Sequence, residues 1–162
     1  MSAPQAAPSA ATIERAGPAD IDAVLPLFQA YLAFYRRKRT DEEARAFLSE
    51  RIAHEQSVIF VARDAAGAAI GFTQLYPFFS SLELRPTWLL NDLYVAPTAR
   101  RSGVALALLR RAEAHARETG ATRMTLDTAI SNRTAQRVYE NAGWSPEHEF
   151  IVYARSIKPD PT

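Results

Sequence analysis

The stretch richest in potential chemistry is Leu93-Tyr94-Val95-Ala96-Pro97-Thr98-Ala99-Arg100-Arg101-Ser102-Gly103-Val104-Ala105. An apolar run stops, a short loop carries two arginines, and a helical pattern opens at a cluster of small residues. The first turn of a helix leaves backbone N–H groups unpaired and carries the positive end of the helix dipole. Such an opening binds phosphate when small residues let an anion reach the backbone. Gly103 and Ala105 offer that clearance, and Arg100 and Arg101 add fixed positive charge. On physical grounds alone, the same residues also read as a capped helix with solvated arginines.

Composition closes off other chemistries. The chain has 162 residues and no cysteine, which excludes a disulfide framework, a Cys-type zinc site, an iron–sulfur cluster and a cysteine nucleophile. His54, His115 and His148 stand far apart and in no metal-binding spacing, so no metal is expected. A net charge of +1 lacks the positive excess of a dedicated nucleic-acid binder. Only the arginine pairs at 100–101 and 110–111 hint at one. No apolar run approaches the roughly 20 residues of a membrane span. The Ala/Pro/Ser-rich segment Met1–Ala11 reads as a disordered tail and not as a targeting signal, so a cytoplasmic protein is expected. Lys158–Thr162 is expected to fray. The length suits one domain, 12–157.

The elements that would position the 93–105 stretch follow from periodicity. Thr12–Ala16 is a short strand candidate. Ala19–Arg37 carries a helical stripe interrupted by Pro26, which predicts a kink or two shorter pieces. Thr40 and Glu43 form a capping box for a second helix to about His54. Ser57–Arg63 and Ala69–Phe78 read as a hairpin around Asp64–Gly67. After a polar loop, Trp88–Val95 is an apolar strand of the kind buried on both faces. Ser102–Thr119 is a helix stopped by Gly120, Met124–Asp127 a strand, Asn132–Asn141 a helix ended by Gly143, and Phe150–Ala154 a last strand. The order β-α-α-β-β-β-α-β-α-β is mixed α/β with one crossover in its second half.

Arg100-x-x-Gly103-x-Ala105 after Leu93-Tyr94-Val95 resembles the coenzyme A signature of the GNAT superfamily of N-acetyltransferases. Asn132, Ala135, Tyr139 and Gly143-Trp144 resemble a second segment of that family, and the element order matches from about Thr12 to Ile157. The resemblance implies a mostly antiparallel central sheet with helices on both faces and a V-shaped splay between the fourth and fifth strands. It implies acetyl-CoA as co-substrate. Its pantetheine arm would lie along Leu93, Tyr94 and Val95, and its pyrophosphate would rest on the amides of Arg101, Ser102, Gly103, Val104 and Ala105.

The resemblance also assigns roles. Tyr139 becomes a general acid for the departing thiolate, and Asn132 and Ala135 share its helix and can line the same groove. Where some relatives place a Glu as base, this chain has Leu89. In the spermidine/spermine branch a Glu-Asp pair aligns with Asn91-Asp92. Asp92 is therefore the candidate base or amine anchor, with a water relay or Asp127 as alternatives. Tyr31, Tyr35 and Glu83 are candidate substrate contacts, since hydroxyls and a carboxylate suit a cationic amine. The run Arg36-Arg37-Lys38-Arg39 reads as a solvated helix end, with an acidic partner or the coenzyme's 3′-phosphate as alternatives. Direct acetyl transfer to a small-molecule amine, a polyamine or an amino-acid derivative, is the expectation. A protein lysine or N-terminus as acceptor, and a non-catalytic acyl-CoA sensor, are the rivals. A homodimer is implied at family level only.

Overall fold

Val58–Arg63 is β-branched and aromatic at most positions and forms β2 at the heart of the sheet, with five of its six residues buried. We describe a computed structural model that covers residues 11–157. The expected tail, apart from Ala11, and the expected frayed end at 158–162 lie outside the described residues. β1 (Thr12–Arg15), β2, β3 (Ala69–Ser80), β4 (Arg85–Val95) and β5 (Arg123–Thr125) lie side by side in chain order. All neighbours are antiparallel except β4 and β5, which are parallel and joined by the crossover helix α3 (Val104–Glu118). α1 (Ile21–Phe34) and α2 (Asp41–Ala53) precede β2, and α4 (Arg133–Asn141) follows β5.

The strands are two-faced, and each face packs a different helix layer. Val58, Phe60 and Ala62 face Leu108, Leu109, Ala112 and Ala116 of α3. Ile59 and Val61 face Val24, Leu25 and Phe28 of α1 and Leu48 of α2. Gly71 allows the first layer to close: a Cβ there would sit 3.0 Å from the Tyr94 carbonyl and 3.3 Å from Val104. Among the described residues, no helix is long and apolar enough to cross a membrane.

Several expectations needed correction. Pro26 does not split α1; it sits on the exposed side, where water can satisfy the carbonyl it leaves unpaired. The polar loop before β4 is a hairpin, since β3 runs to Ser80 and β4 begins at Arg85. Pro77 and Pro86 masked it. Both are tolerated because β2 pairing ends at Leu75 and β5 pairing begins at Thr87, so each proline lies where its strand has a free edge. The strand expected at Met124–Asp127 is Arg123–Thr125, and α3 starts at Val104 instead of Ser102. The last strand, Phe150–Ala154, does not form. Those residues have no strand partner, and Phe150, Ile151, Val152 and Tyr153 are 65–88 % exposed. Their β propensity is real, but a strand needs a ladder to join.

Candidate active site

Two irregularities of β4 build the site. The first is a bulge. Leu75 of β3 opposes Leu90, but Gln74 opposes Asp92, so Asn91 has no partner. A bulge reverses the in–out alternation beyond it. Trp88 and Leu90 pack on the α3 side, and after Asn91 it is Leu93 and Val95 that continue that layer. Tyr94 joins the α1–α2 layer, and Asp92 turns with it toward Phe28 and Tyr31 of α1. Without the extra residue, the Asp92 carboxylate would point into the aliphatic core over α3.

Asp92 is 3 % exposed. Gln74 Nε2 donates to its Oδ2 (2.6 Å), Asn91 Nδ2 to its Oδ1 (2.9 Å), and Thr73 Oγ1 to its backbone carbonyl (2.8 Å). Burial pushes its carboxyl above the usual range, and the bonds from Gln74, Tyr31 and Asn91 only partly offset that. Among the described residues no cation pairs with it. The carboxylate closes one side of an open cavity of about 320 Å³, walled by the rings of Phe28, Tyr31, Tyr35, Phe47 and Tyr76. Tyr31 packs edge-on against Tyr35 (5.0 Å) and donates to the Asn91 carbonyl (3.5 Å). The phenols of Tyr31 and Tyr76 are raised by burial and then by the Asp92 charge.

The second irregularity is an open edge. β5 pairs with β4 only from Thr87 to Leu89, so Leu90–Val95 has no partner on that side. This is the expected splay between the fourth and fifth strands. At its foot the chain passes through Arg101 (φ +61°) and Gly103 (φ +83°), both left-handed, into α3. The first helical bond there runs from the Ala107 N–H to the Gly103 carbonyl (3.0 Å). The amides of Arg101–Leu106 are left without acceptors among the described residues. Unpaired amides at the first turn of a helix, reached through two left-handed residues, suit an anion. Ser102 Oγ donates to the Ala99 carbonyl (2.5 Å), and Arg100 Nε to the Val95 carbonyl (3.1 Å) with its guanidinium over Tyr94. Arg100 thus ties the end of β4 to the loop, while Arg101 remains exposed.

α4 brings the phenol. Asn132 Oδ1 accepts from the Ala135 N–H (3.2 Å) and caps the helix. Tyr139 is half-buried beside Trp144, whose Nε1 donates to Glu113 (2.9 Å) and pins α4 to α3. Its phenol is pushed up to about 12, chiefly by burial and then by nearby Tyr35.

The structure brings Tyr31, Tyr35 and Asp92 together but leaves two candidates elsewhere. Glu83 lies in the β3–β4 turn, bonded to Thr122 and the Ser80 hydroxyl, at the other end of β4 from Asp92. That separation is roughly 25 Å along a strand. Asp127 is exposed beyond the end of β5. Conversely, Gln74, Tyr76, Phe47 and Arg37 were not singled out one by one from the sequence. Nothing local marks Gln74, whereas Arg37 lies within the basic run Arg36-Arg37-Lys38-Arg39.

The sequence model of the Acetyltransferase (GNAT) family matches residues 24–144. An uncharacterized N-acetyltransferase of Bacillus subtilis, YhfO, is 40 % identical over 90 % of this chain and 97 % of its own length. An aminoglycoside N(6')-acetyltransferase type 1 of Serratia marcescens is 28 % identical over 72 % of this chain and 82 % of its own. The crystal structure of a probable acetyltransferase superposes with a TM-score of 0.87 at 42 % identity, over 92 % of this chain and 99 % of that one. With this sheet, this splay and these matches, the chain belongs to the GNAT family and is an acetyl-CoA-dependent N-acetyltransferase.

Proposed function

We propose that the chain acetylates a small-molecule amine held in the Asp92 cavity, with acetyl-CoA laid along the open edge of β4. The observation that carries this is the bulge at Asn91. It turns a buried carboxylate with no cation partner into an aromatic-walled cavity beside the splay. A volume of about 320 Å³ suits a small molecule better than a protein surface.

The residues fit the coenzyme. The unpaired edge Leu90–Val95 takes an amide-bearing arm as an added strand, and the free amides of Arg101, Ser102, Gly103, Val104 and Ala105 take a pyrophosphate. A thioester supplies an acyl group already activated for attack. The chain's part is to deprotonate, orient and shield. Asp92, raised by burial, is matched to accept a proton from an ammonium on its way to attack. Tyr139, at about 12, keeps its proton at neutral pH and serves the leaving sulfur as a hydrogen-bond donor. Full transfer is uphill, because thiols ionise near 8.5. Asn132 and Ala135 support the groove through the cap of α4.

The test is thiol release from acetyl-CoA over a panel of amines, with Asp92→Asn and Tyr139→Phe as variants. Turnover that survives both at wild-type rate overturns the roles given to them. A homodimer is part of the same reading, supported by the exposed apolar side chains of Phe150, Ile151, Val152, Tyr153 and Ile157. Light scattering at micromolar concentration distinguishes one copy from two.

A further inference from the structure

The rim of the cavity over Asp92 includes a second charged residue, exposed at the surface. Arg37 also lines it, and no carboxylate pairs with Arg37 among the described residues. Its position is built, not incidental. α1 ends with Arg36 in the left-handed region (φ +56°), a strained conformation for a residue with a Cβ. The Arg37 N–H returns to the Leu32 carbonyl (2.9 Å) and the Arg36 N–H to the Ala33 carbonyl (2.9 Å). That is the paired-bond helix ending usually made with glycine. Gln29 Nε2 then ties down the far side of the connection, donating to Asp41 Oδ1 (2.9 Å) and the Arg39 carbonyl (3.2 Å). The backbone therefore holds Arg37 at the cavity wall. The other arginine near the rings, Arg51, is different: it stacks on Phe47 (5.1 Å) and pairs with Glu50 (2.8 Å).

We infer that the acceptor is a monoamine that also carries an anionic group, its ammonium at Asp92, its carboxylate or similar anion at Arg37, and an apolar body between the rings. This deepens the proposed function and rests on its assignment of the Asp92 cavity as the acceptor site. The cavity has one buried carboxylate, and Arg37 stands exposed at its rim, so a zwitterion pairs its ammonium with Asp92 and brings its anion to a cation at the mouth. A polycation would place its second ammonium against Arg37 with no second carboxylate in the lining to receive it. Polyamines and amino sugars with several amines are disfavoured on that ground, although several relatives are named for acetylating aminoglycosides. Arg37 is exposed to solvent, so its contribution is to choose among acceptors more than to drive turnover.

The experiment compares 6-aminohexanoate, hexylamine and 1,6-diaminohexane as acceptors in steady-state thiol release from acetyl-CoA. The three share a chain length and differ in the charge of the far end. The expected order of kcat/KM is aminohexanoate, then hexylamine, then the diamine. The first and last should differ by about tenfold or more, the size of one partly solvated ion pair set against one like-charge repulsion. Arg37→Ala should collapse the ratio of aminohexanoate to diamine, Arg37→Lys should restore part of it, and Arg37→Glu should invert it. Lys38→Ala, next in sequence but not in the cavity lining, should leave the ratio as in the wild type. The diamine ranking first in the wild type, equal rates for all three, or a ratio indifferent to Arg37 would overturn the inference. Asp92→Asn separates this from failure of the acceptor site itself. If all three amines lose turnover in that variant while the ranking is flat, only the inference fails; if none loses turnover, or none is acetylated by the wild type, the site assignment falls with it.

Discussion

The anion cradle at the start of α3 and the cavity over Asp92 meet on one strand but are made differently. The cradle is one unbroken run, Leu93–Ala105, and it works through backbone: free amides, a left-handed glycine and an unpaired strand edge. The cavity takes side chains from α1, α2, β3 and β4, which are far apart in sequence, and it works through a carboxylate, an arginine and aromatic walls. Coenzyme A is the same molecule for every enzyme that uses it, and backbone amides can recognise it whatever side chains surround them. An acceptor differs from enzyme to enzyme, and only side chains can follow that difference. The first region is thus tolerant of substitution except where φ is special, and the second is sensitive to each residue.

The sharpest way to break this contrast is Asp92→Asn. Loss of the proposed general base should lower kcat by about a hundredfold to ten-thousandfold, with KM for acetyl-CoA nearly unchanged. Stability should move the other way. Because burial raises the Asp92 carboxyl in the fold, the folded protein binds that proton more tightly than the unfolded chain does. Its contribution therefore weakens as pH climbs from the unfolded value of 3.8 through the raised folded one. Thermal unfolding at neutral pH should find the Asn variant as stable as the wild type or more so. A marked loss of Tm would make Asp92 a structural carboxylate.

A second test strikes the cradle. Gly103 sits at φ +83°, and a Cβ added there would meet nothing within 4 Å. Gly103→Val should therefore cost about 1–2 kcal/mol through backbone strain alone. It should also raise KM for acetyl-CoA by about tenfold or more by screening the amides, while the relative rates of different amines stay fixed. A changed acceptor preference would mean that the two regions are not separable.

Tyr139→Phe removes the hydrogen-bond donor proposed for the leaving sulfur and should lower kcat by about tenfold to a hundredfold. Because the phenol lies near 12, no basic limb in the neutral range should be attributable to it. The smallest effect is expected of Gln74→Leu. Losing the 2.6 Å bond removes the leading interaction that lowers the Asp92 carboxyl. The acidic limb of kcat/KM should therefore move to higher pH while the plateau falls only a few-fold. A fall in the plateau without a shifted limb would assign Gln74 to packing alone.

Local patterns foretold most of the fold. The capping box at Thr40 and Glu43, the Gly120 stop and the β2–β3 hairpin around Asp64–Gly67 all depend on near neighbours in the chain, and all appear as expected. The cradle was legible for the same reason: a strand end, a left-handed glycine and a helix start are consecutive. The β3–β4 hairpin was hidden by prolines that only free strand edges can tolerate. Phe150–Ala154 looked like a strand because propensity is written in side chains, whereas a ladder partner is not.

What the sequence determined by itself is therefore the element order up to α4 and the strand–loop–helix run from Leu93 to Ala105. Tertiary structure alone decided the direction of Asp92. Nothing in Leu90-Asn91-Asp92 announces a bulge; the register arises when β4 must pair with β3 along its whole length and with β5 along only part of it. That one unpaired residue carries a carboxylate from the aliphatic layer to the aromatic one. The end of α1 then places Arg37 at the rim of the same cavity.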